Sequence, residues 1–206
     1  MASVYEIKPR FQARLRPLAG RLAGRGVTAN QVTVAAAAGS CAVGGLLLLA
    51  PLAVWLFLLV PVWLLVRMAL NAIDGMLARE HGMTTRLGAV LNEVGDVVSD
   101  VGLYLPFAVF DARTRWLILL FLFGAVLTEL CGVLMQALGA SRRYDGPMGK
   151  SDRAVLVSIA ALVPVFAPAW LSAWGPLFAL GAGLVAWTCI NRVRRGLGEI
   201  EGGGER

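Results

Sequence analysis

Residues 71–96 read NAIDGMLAREHGMTTRLGAVLNEVGD, with Asn71, Asp74, Gly75, Ala78, Arg79, Gly88, Asn92 and Asp96 at helical intervals. The stretch closes one apolar segment and opens the next. At about 100° per residue, positions 71 and 74 share one helix face, and 92 and 96 stack a turn apart on another. A carboxylate or amide within lipid is costly, so such a cluster marks a functional site by default. Two helices that turn oxygen ligands toward each other can hold a hard cation.

The rest of the chain supplies the lipid context. It is 58% hydrophobic and 16% charged, with a mean hydropathy of +0.71. Soluble domains carry roughly 25% charged residues, so composition alone indicates a membrane protein. The 24 glycines suit close approach of membrane helices. Cys41, Cys131 and Cys189 have no paired spacing and read as small core residues, not as a disulfide or zinc set. The charged N-terminal stretch lacks the short apolar run of a cleavable signal peptide. The net charge of +6 flanks apolar segments. That placement points to membrane lipids or phosphorylated substrates as partners, and away from nucleic acid.

The fold expected is an all-α membrane protein with six transmembrane helices and an N-terminal amphipathic interfacial helix. Spans fall near 32–50, 52–79, 87–110, 115–138, 154–172 and 175–192, each close to the roughly 20 residues a bilayer requires. Pro51 and Pro176 mark segment starts, and Pro61, Pro106 and Pro164 are expected to kink helices. Val4, Ile7, Phe11, Leu15, Leu18 and Leu22 recur at three- and four-residue spacing among Lys8, Arg10, Arg14, Arg16, Arg21 and Arg25. This pattern fits a helix lying on anionic lipid or, equally, a basic topogenic tail. Basic residues concentrate in this arm, at 79–86, at 139–153 and after 191. Both termini and the polar cluster are therefore expected on the cytoplasmic side, in a bacterial inner membrane. The organisation expected is an arm over 1–28, a membrane domain over 29–195 and a flexible tail over 196–206.

The gaps of the opening stretch resemble the signature of the CDP-alcohol phosphatidyltransferase family, D-x-x-D-G-x-x-A-R-x8-G-x-x-x-D-x-x-x-D. Val27 to Thr33 resembles the family's T-P-N-x-x-T segment, with Ala29 in place of proline, and Pro147 to Lys150 resembles its Gly-Lys segment. The resemblance implies six membrane helices around a polar cavity open to the cytoplasm, in a homodimer. It implies transfer of a phosphatidyl-type group from CDP-diacylglycerol, or another CDP-alcohol, to a hydroxyl acceptor with release of CMP. It also implies Mg²⁺ or Mn²⁺ held by Asp74, Asp96, Asn71 and Asn92, with Asp96 as general base. Asn30, Gln31, Gly75, Ala78, Arg79 and Gly88 would bind the CDP. Hard cations suit a reaction in which a pyrophosphate leaving group gains negative charge. Gly75 lets backbone approach the nucleotide, and Arg79 offers a fork for a phosphate.

The chain departs from the signature where Asn71 and Asn92 replace its first and third aspartates. An amide oxygen still ligates, but each change removes a negative charge, which favours one metal over two. Asp100, one turn beyond Asp96, either extends the site or pairs with Arg67, which an antiparallel hairpin about residue 83 brings level with 99 or 100. Glu93 points about 100° from Asn92 and is expected to act from outside the ligand set. Glu129 is an isolated membrane carboxylate that lines the acceptor pocket, pairs with Arg67 or stays protonated. Arg142, Arg143, Lys150 and Arg153 lie in or beside a basic loop that leans toward an anionic acceptor or the lipid phosphate, although membrane topology explains the same charges. The alternative to an enzyme is a catalytically impaired relative that binds CDP-lipid or acts as a scaffold. A cation transporter is disfavoured because the chain shows no internal repeat.

Overall fold

The computed structural model describes residues 4–203, with side chains from 11 to 202. Seven helices follow one another: α1 (Val4–Gly24), α2 (Ala29–Leu47), α3 (Leu59–Glu80), α4 (Arg86–Phe110), α5 (Arg115–Ala137), α6 (Lys150–Phe166) and α7 (Trp174–Gly203). Short 3-10 turns at Val54–Leu58 and Pro168–Ala173 lead into α3 and α7, and no strand occurs among the described residues.

Side chains start the helices that carry the polar cluster. Thr28 accepts from the Gln31 amide at 3.2 Å while the Gln31 side chain accepts from the Thr28 amide at 2.9 Å, closing a reciprocal cap on α2. Thr85 accepts from the Gly88 amide at 2.8 Å and starts α4. Asp152 accepts from the Gly149 amide at 2.9 Å at the head of α6. Pro106 and Pro164 lie inside helices, whereas Pro61 falls in the first turn of α3, where its missing N–H costs no helical bond.

Glycine sets the closest helix contact. A Cβ on Gly44 of α2 would lie 1.9 Å from the carbonyl oxygen of Gly102 on α4, so the two backbones touch. At the end of the bundle away from the polar cluster, Phe57, Phe107, Phe110, Trp174 and Phe178 pack ring against ring with centroids 4.9–6.3 Å apart. A second apolar cluster of Ala19, Ala29, Val32, Ile73, Met76 and Leu77 docks α1 on α2 and α3.

Four stretches are long and apolar enough to cross a membrane: Ala29–Leu47, Val54–Glu80, Arg115–Ala137 and Pro168–Gly202. α4 is not among them because Arg86, Glu93, Asp96 and Asp100 break its apolar run, and α6 spans only 17 residues.

Several expectations change. α7 runs to Gly203, seven residues past the start of the expected tail, because Glu199 accepts from Ser141 and Arg143 and ties that end to the α5–α6 loop. Residues 204–206 lie outside the described residues. In α1 the inward stripe is the buried Ala19 with the half-buried Leu15, Leu22 and Ala23, and Arg16 pairs with Glu80 at 2.9 Å. The side chains of Val4, Ile7, Lys8 and Arg10 lie outside the described residues. The three cysteines are free; Cys41 is exposed and the other two half-buried, so none sits in the core.

Candidate active site

α3 and α4 form an antiparallel hairpin, and the loop at 81–85 brings their polar faces together. Across it, Arg67 donates to Asp100 Oδ1 at 2.6 Å, to Asp96 Oδ1 at 3.1 Å and to the Asp96 carbonyl at 3.2 Å. Asn71 donates to Asp96 Oδ1 at 3.5 Å. Lys150, the first residue of α6, rests its ammonium on Asp96 Oδ2. Asp96 thus has a cation on each oxygen. It is buried, whereas the Lys150 side chain is 36% exposed.

Asp74 differs. Its Oδ2 accepts from Thr33 of α2 at 2.9 Å, it is 7% exposed, and it has no ion-pair partner among the described residues. A buried carboxylate with no counter-ion is a natural position for a bound cation. Asn71, one turn before it, adds an amide of the right hard chemistry, and Asn92 on α4 is a second such group. This donor set fits one hard divalent ion. It does not fit two, because two charged ligands are replaced by amides and Asp96 is already neutralised. No cluster of three acidic, histidine or cysteine side chains able to hold a metal occurs among the described residues.

The residues expected at the nucleotide gather on the α2 side. Asn30 donates to Thr85 Oγ1 at 3.5 Å, and a Cβ on Gly88 would meet Asn30 Oδ1 at 2.7 Å. The exposed Arg79 folds over Gly75, where a Cβ would lie 2.8 Å from its guanidinium. Ala78 is half-buried and its carbonyl accepts from Thr84 at 2.9 Å, while Gln31 is engaged in the α2 cap. From Thr33 an apolar groove of about 250 Å³ runs between α2 and α4, along Val34, Ala37, Ala38, Cys41, Val94 and Val98.

The basic residues divide differently from the expectation. Arg153 is fully buried, donating to Asp100 at 3.0 Å, Glu129 at 2.9 Å and Thr128 at 2.9 Å, and so belongs to the interior instead of a phosphate pocket. Asp100 bridges Arg67 and Arg153, and Glu129 pairs with Arg153, Arg142 and Arg192 instead of with Arg67. Arg142 also donates twice to Glu93, at 2.6 and 3.0 Å, and lies so close to Gly132 that a Cβ there would overlap it. Arg143 pairs with Asp145 at 2.8 Å and Glu199 at 2.6 Å, and Arg195 pairs with Asp145 at 2.8 Å. Burial opposes ionisation of Asp145, but the hydrogen bonds from Arg143 and Arg195 outweigh it and hold its carboxyl below the usual carboxylate range. Gly146, at φ +123°, makes the turn that lets this loop close on Thr188.

Thr33, Arg192 and Glu199 are additions to the expected set. Thr33 sits one helical turn after Ala29, on the face of α2 that meets Asp74, which the resemblance to T-P-N-x-x-T marks as a place to look. Arg192 near the end of an apolar segment reads as topology until Glu129 is seen beside it.

The family model described as CDP-alcohol phosphatidyltransferase matches residues 26–189. The chain is 48% identical over 192 residues to the inner membrane protein YnbA of Escherichia coli K12, covering 93% of this chain and 95% of that protein. It is 30% identical to the phosphatidylinositol phosphate synthase of Mycobacterium marinum, covering 87% and 76%. The crystal structure of the phosphatidylinositol phosphate synthase of Mycobacterium tuberculosis with CDP-DAG bound superposes with a TM-score of 0.72 at 25% identity, covering 86% of this chain and 90% of that one. The same enzyme in complex with manganese and citrate gives 0.73 at 25% identity, covering 88% of each.

Proposed function

The chain belongs to the CDP-alcohol phosphatidyltransferase family, and from that premise we propose that it transfers a phosphatidyl-type group from CDP-diacylglycerol to a hydroxyl acceptor, releasing CMP. The observation that carries this reading is the convergence of Asp74 and Asp96 from facing helices beside Lys150, with Asn30 and Gly88 on one flank. The apolar groove that begins at Thr33 favours a lipid donor over a soluble CDP-alcohol, since an acyl chain can follow it away from the polar cluster.

In the reaction, the acceptor oxygen bonds to the lipid-side phosphorus. The phosphoanhydride bond breaks, CMP leaves with the electron pair, and Asp96 takes the hydroxyl proton. Arg67 keeps Asp96 oriented by binding one of its oxygens. Lys150, partly exposed on a flexible stem, releases the other oxygen and follows the donor phosphate. Asn30, packed against Gly88, turns toward the nucleotide, and Arg79 meets its phosphate. A Mg²⁺ or Mn²⁺ ion held by Asp74, with Asn71 and Asn92 beside it, would supply charge neutralisation at the leaving group. The protein works as a six-span bundle in a bacterial inner membrane, in which α4 and α6 cross by hiding their charges against their neighbours. A homodimer is part of the same reading.

The test is CMP release from CDP-diacylglycerol by the purified protein with Mn²⁺ or Mg²⁺ across a broad acceptor panel. Binding of the donor without release under any acceptor would sink the catalytic claim. One observation favours a second reading, a CDP-lipid-binding relative without turnover: Asp96 is neutralised on both oxygens and two signature aspartates are asparagines. Turnover that appears only after Asn71→Asp with Asn92→Asp selects that reading. Wild-type turnover abolished by Asp96→Ala rejects it.

A further inference from the structure

We propose that the acceptor is a hydroxyl compound carrying no phosphate of its own. The inference rests on the transferase reading and names the substrate class of that site. Thr33, Asn30, Gly88 and the apolar groove take the α2 side of Asp96 for the donor. The acceptor hydroxyl therefore reaches Asp96 from the side of α5, α6 and the loop between them.

That side holds many cations, and a basic loop read as sequence suggests an anionic acceptor. The structure reverses the suggestion, because every cation there except the exposed Arg194 meets a carboxylate of the chain. Arg142 is shared by Glu93 and Glu129, Arg143 by Asp145 and Glu199, and Arg153 by Asp100 and Glu129. Arg195 pairs with Asp145, Arg192 lies 3.7 Å from Glu129, and Lys150 is on Asp96. Among the described residues no buried side-chain nitrogen or oxygen lacks a hydrogen-bond partner. Lys150 is committed to the donor phosphate once it leaves Asp96. Arg142 is then the guanidinium best placed for a second phosphate, one turn of α4 from Asp96 through Glu93. A phosphate arriving there faces Glu93 and Glu129 across the same guanidinium. Like charges opposed in this way are a device for rejecting a ligand. Hydroxyl groups meet no such opposition, since carboxylates and guanidinium groups both bond them.

The experiment compares matched acceptors, glycerol with glycerol 3-phosphate and inositol with inositol 1-phosphate, in CMP release from CDP-diacylglycerol. A phosphate-free acceptor should exceed its monoester in kcat/KM by roughly tenfold or more, the least that unpairing a buried charge implies. Glu93→Gln, which frees one arm of Arg142, should narrow that ratio. Equal or preferred use of a monoester by the wild type overturns the proposal. If no acceptor releases CMP, the transferase reading fails separately, and calorimetric titration with glycerol 3-phosphate decides the inference. Saturable binding to the wild type then overturns it, and binding gained only in Glu93→Gln upholds it.

Discussion

Lys150 places its ammonium on the carboxylate of Asp96, joining the head of α6 to the middle of α4. The contact puts a positive charge where a divalent ion would otherwise gain a second carboxylate. Between unit charges about 4 Å apart, the repulsion at a protein surface is on the order of 4 kcal/mol. Lys150→Met keeps the stem and removes the charge. We expect Mn²⁺ to bind at least about tenfold more tightly to this variant, read by the free-ion resonance signal, while CMP release falls. Unchanged Mn²⁺ affinity would show that the ion does not sense Lys150.

Arg153 is the most deeply enclosed cation, between Asp100 and Glu129 with no exposure. Its removal leaves two buried carboxylates facing each other with Arg67, Arg142 and Arg192 at their outer sides. Arg153→Met should cost about 3–5 kcal/mol, seen as a lower unfolding temperature in detergent. Adding Glu129→Gln to the same chain should return part of the loss, because one stranded charge is gone. A full, additive loss in the double variant would mean that the two groups are not coupled.

Arg67 and Asp100 could be set level from sequence because both lie on helices joined by a loop whose centre is readable, and the rise per residue does the rest. The starts of α2 and α4 are set by the local caps Thr28 and Thr85, which the hydropathy of the spans does not register. Arg153 was not legible either. It follows Lys150 by three residues in a basic loop, and composition cannot say which of the two turns inward. The partner of Glu129 was hidden for a related reason: three arginines, from α6, α7 and the loop before α6, compete for it, and only the tertiary arrangement decides. The helical end of α7 depends on Glu199 being caught by Ser141 and Arg143, a contact some 58 residues away in sequence that its glycine-rich surroundings argue against. The two charges lost at Asn71 and Asn92 were plain in the sequence; the unpaired state of Asp74 beside them was not.

Two glycines separate folding from binding. A Cβ at Gly44 meets backbone, the Gly102 carbonyl oxygen at 1.9 Å, which cannot rotate away. Gly44→Ala should therefore push α2 from α4 and lower stability by about 1–3 kcal/mol. A Cβ at Gly88 meets side-chain oxygens, Asn30 Oδ1 at 2.7 Å and Thr85 Oγ1 at 3.0 Å, which can turn aside. Gly88→Ala should leave the unfolding temperature nearly unchanged and raise the KM for CDP-diacylglycerol, because the nucleotide platform is displaced. The reverse pattern, a stable Gly44→Ala and an unstable Gly88→Ala, would contradict both assignments.

The α5–α6 loop carries a pH-dependent clamp. Asp145 is held below the usual carboxylate range by Arg143 and Arg195 despite the opposing effect of burial. A carboxylate with a depressed folded pKa contributes stability that is fully present above its unfolded pKa, about 3.9, and is lost as pH falls through the folded one. Near pH 7 the wild type should therefore unfold at a higher temperature than Asp145→Asn. Toward pH 3 and below, the difference should shrink, because the wild-type carboxyl becomes neutral as well. Glu199 draws on the same Arg143, so Glu199→Gln should widen the gap measured at Asp145, because the freed guanidinium turns wholly to Asp145. A gap between wild type and Asp145→Asn that stays constant from pH 7 to pH 3 would show that the loop is held by its backbone turn at Gly146 and not by these charges.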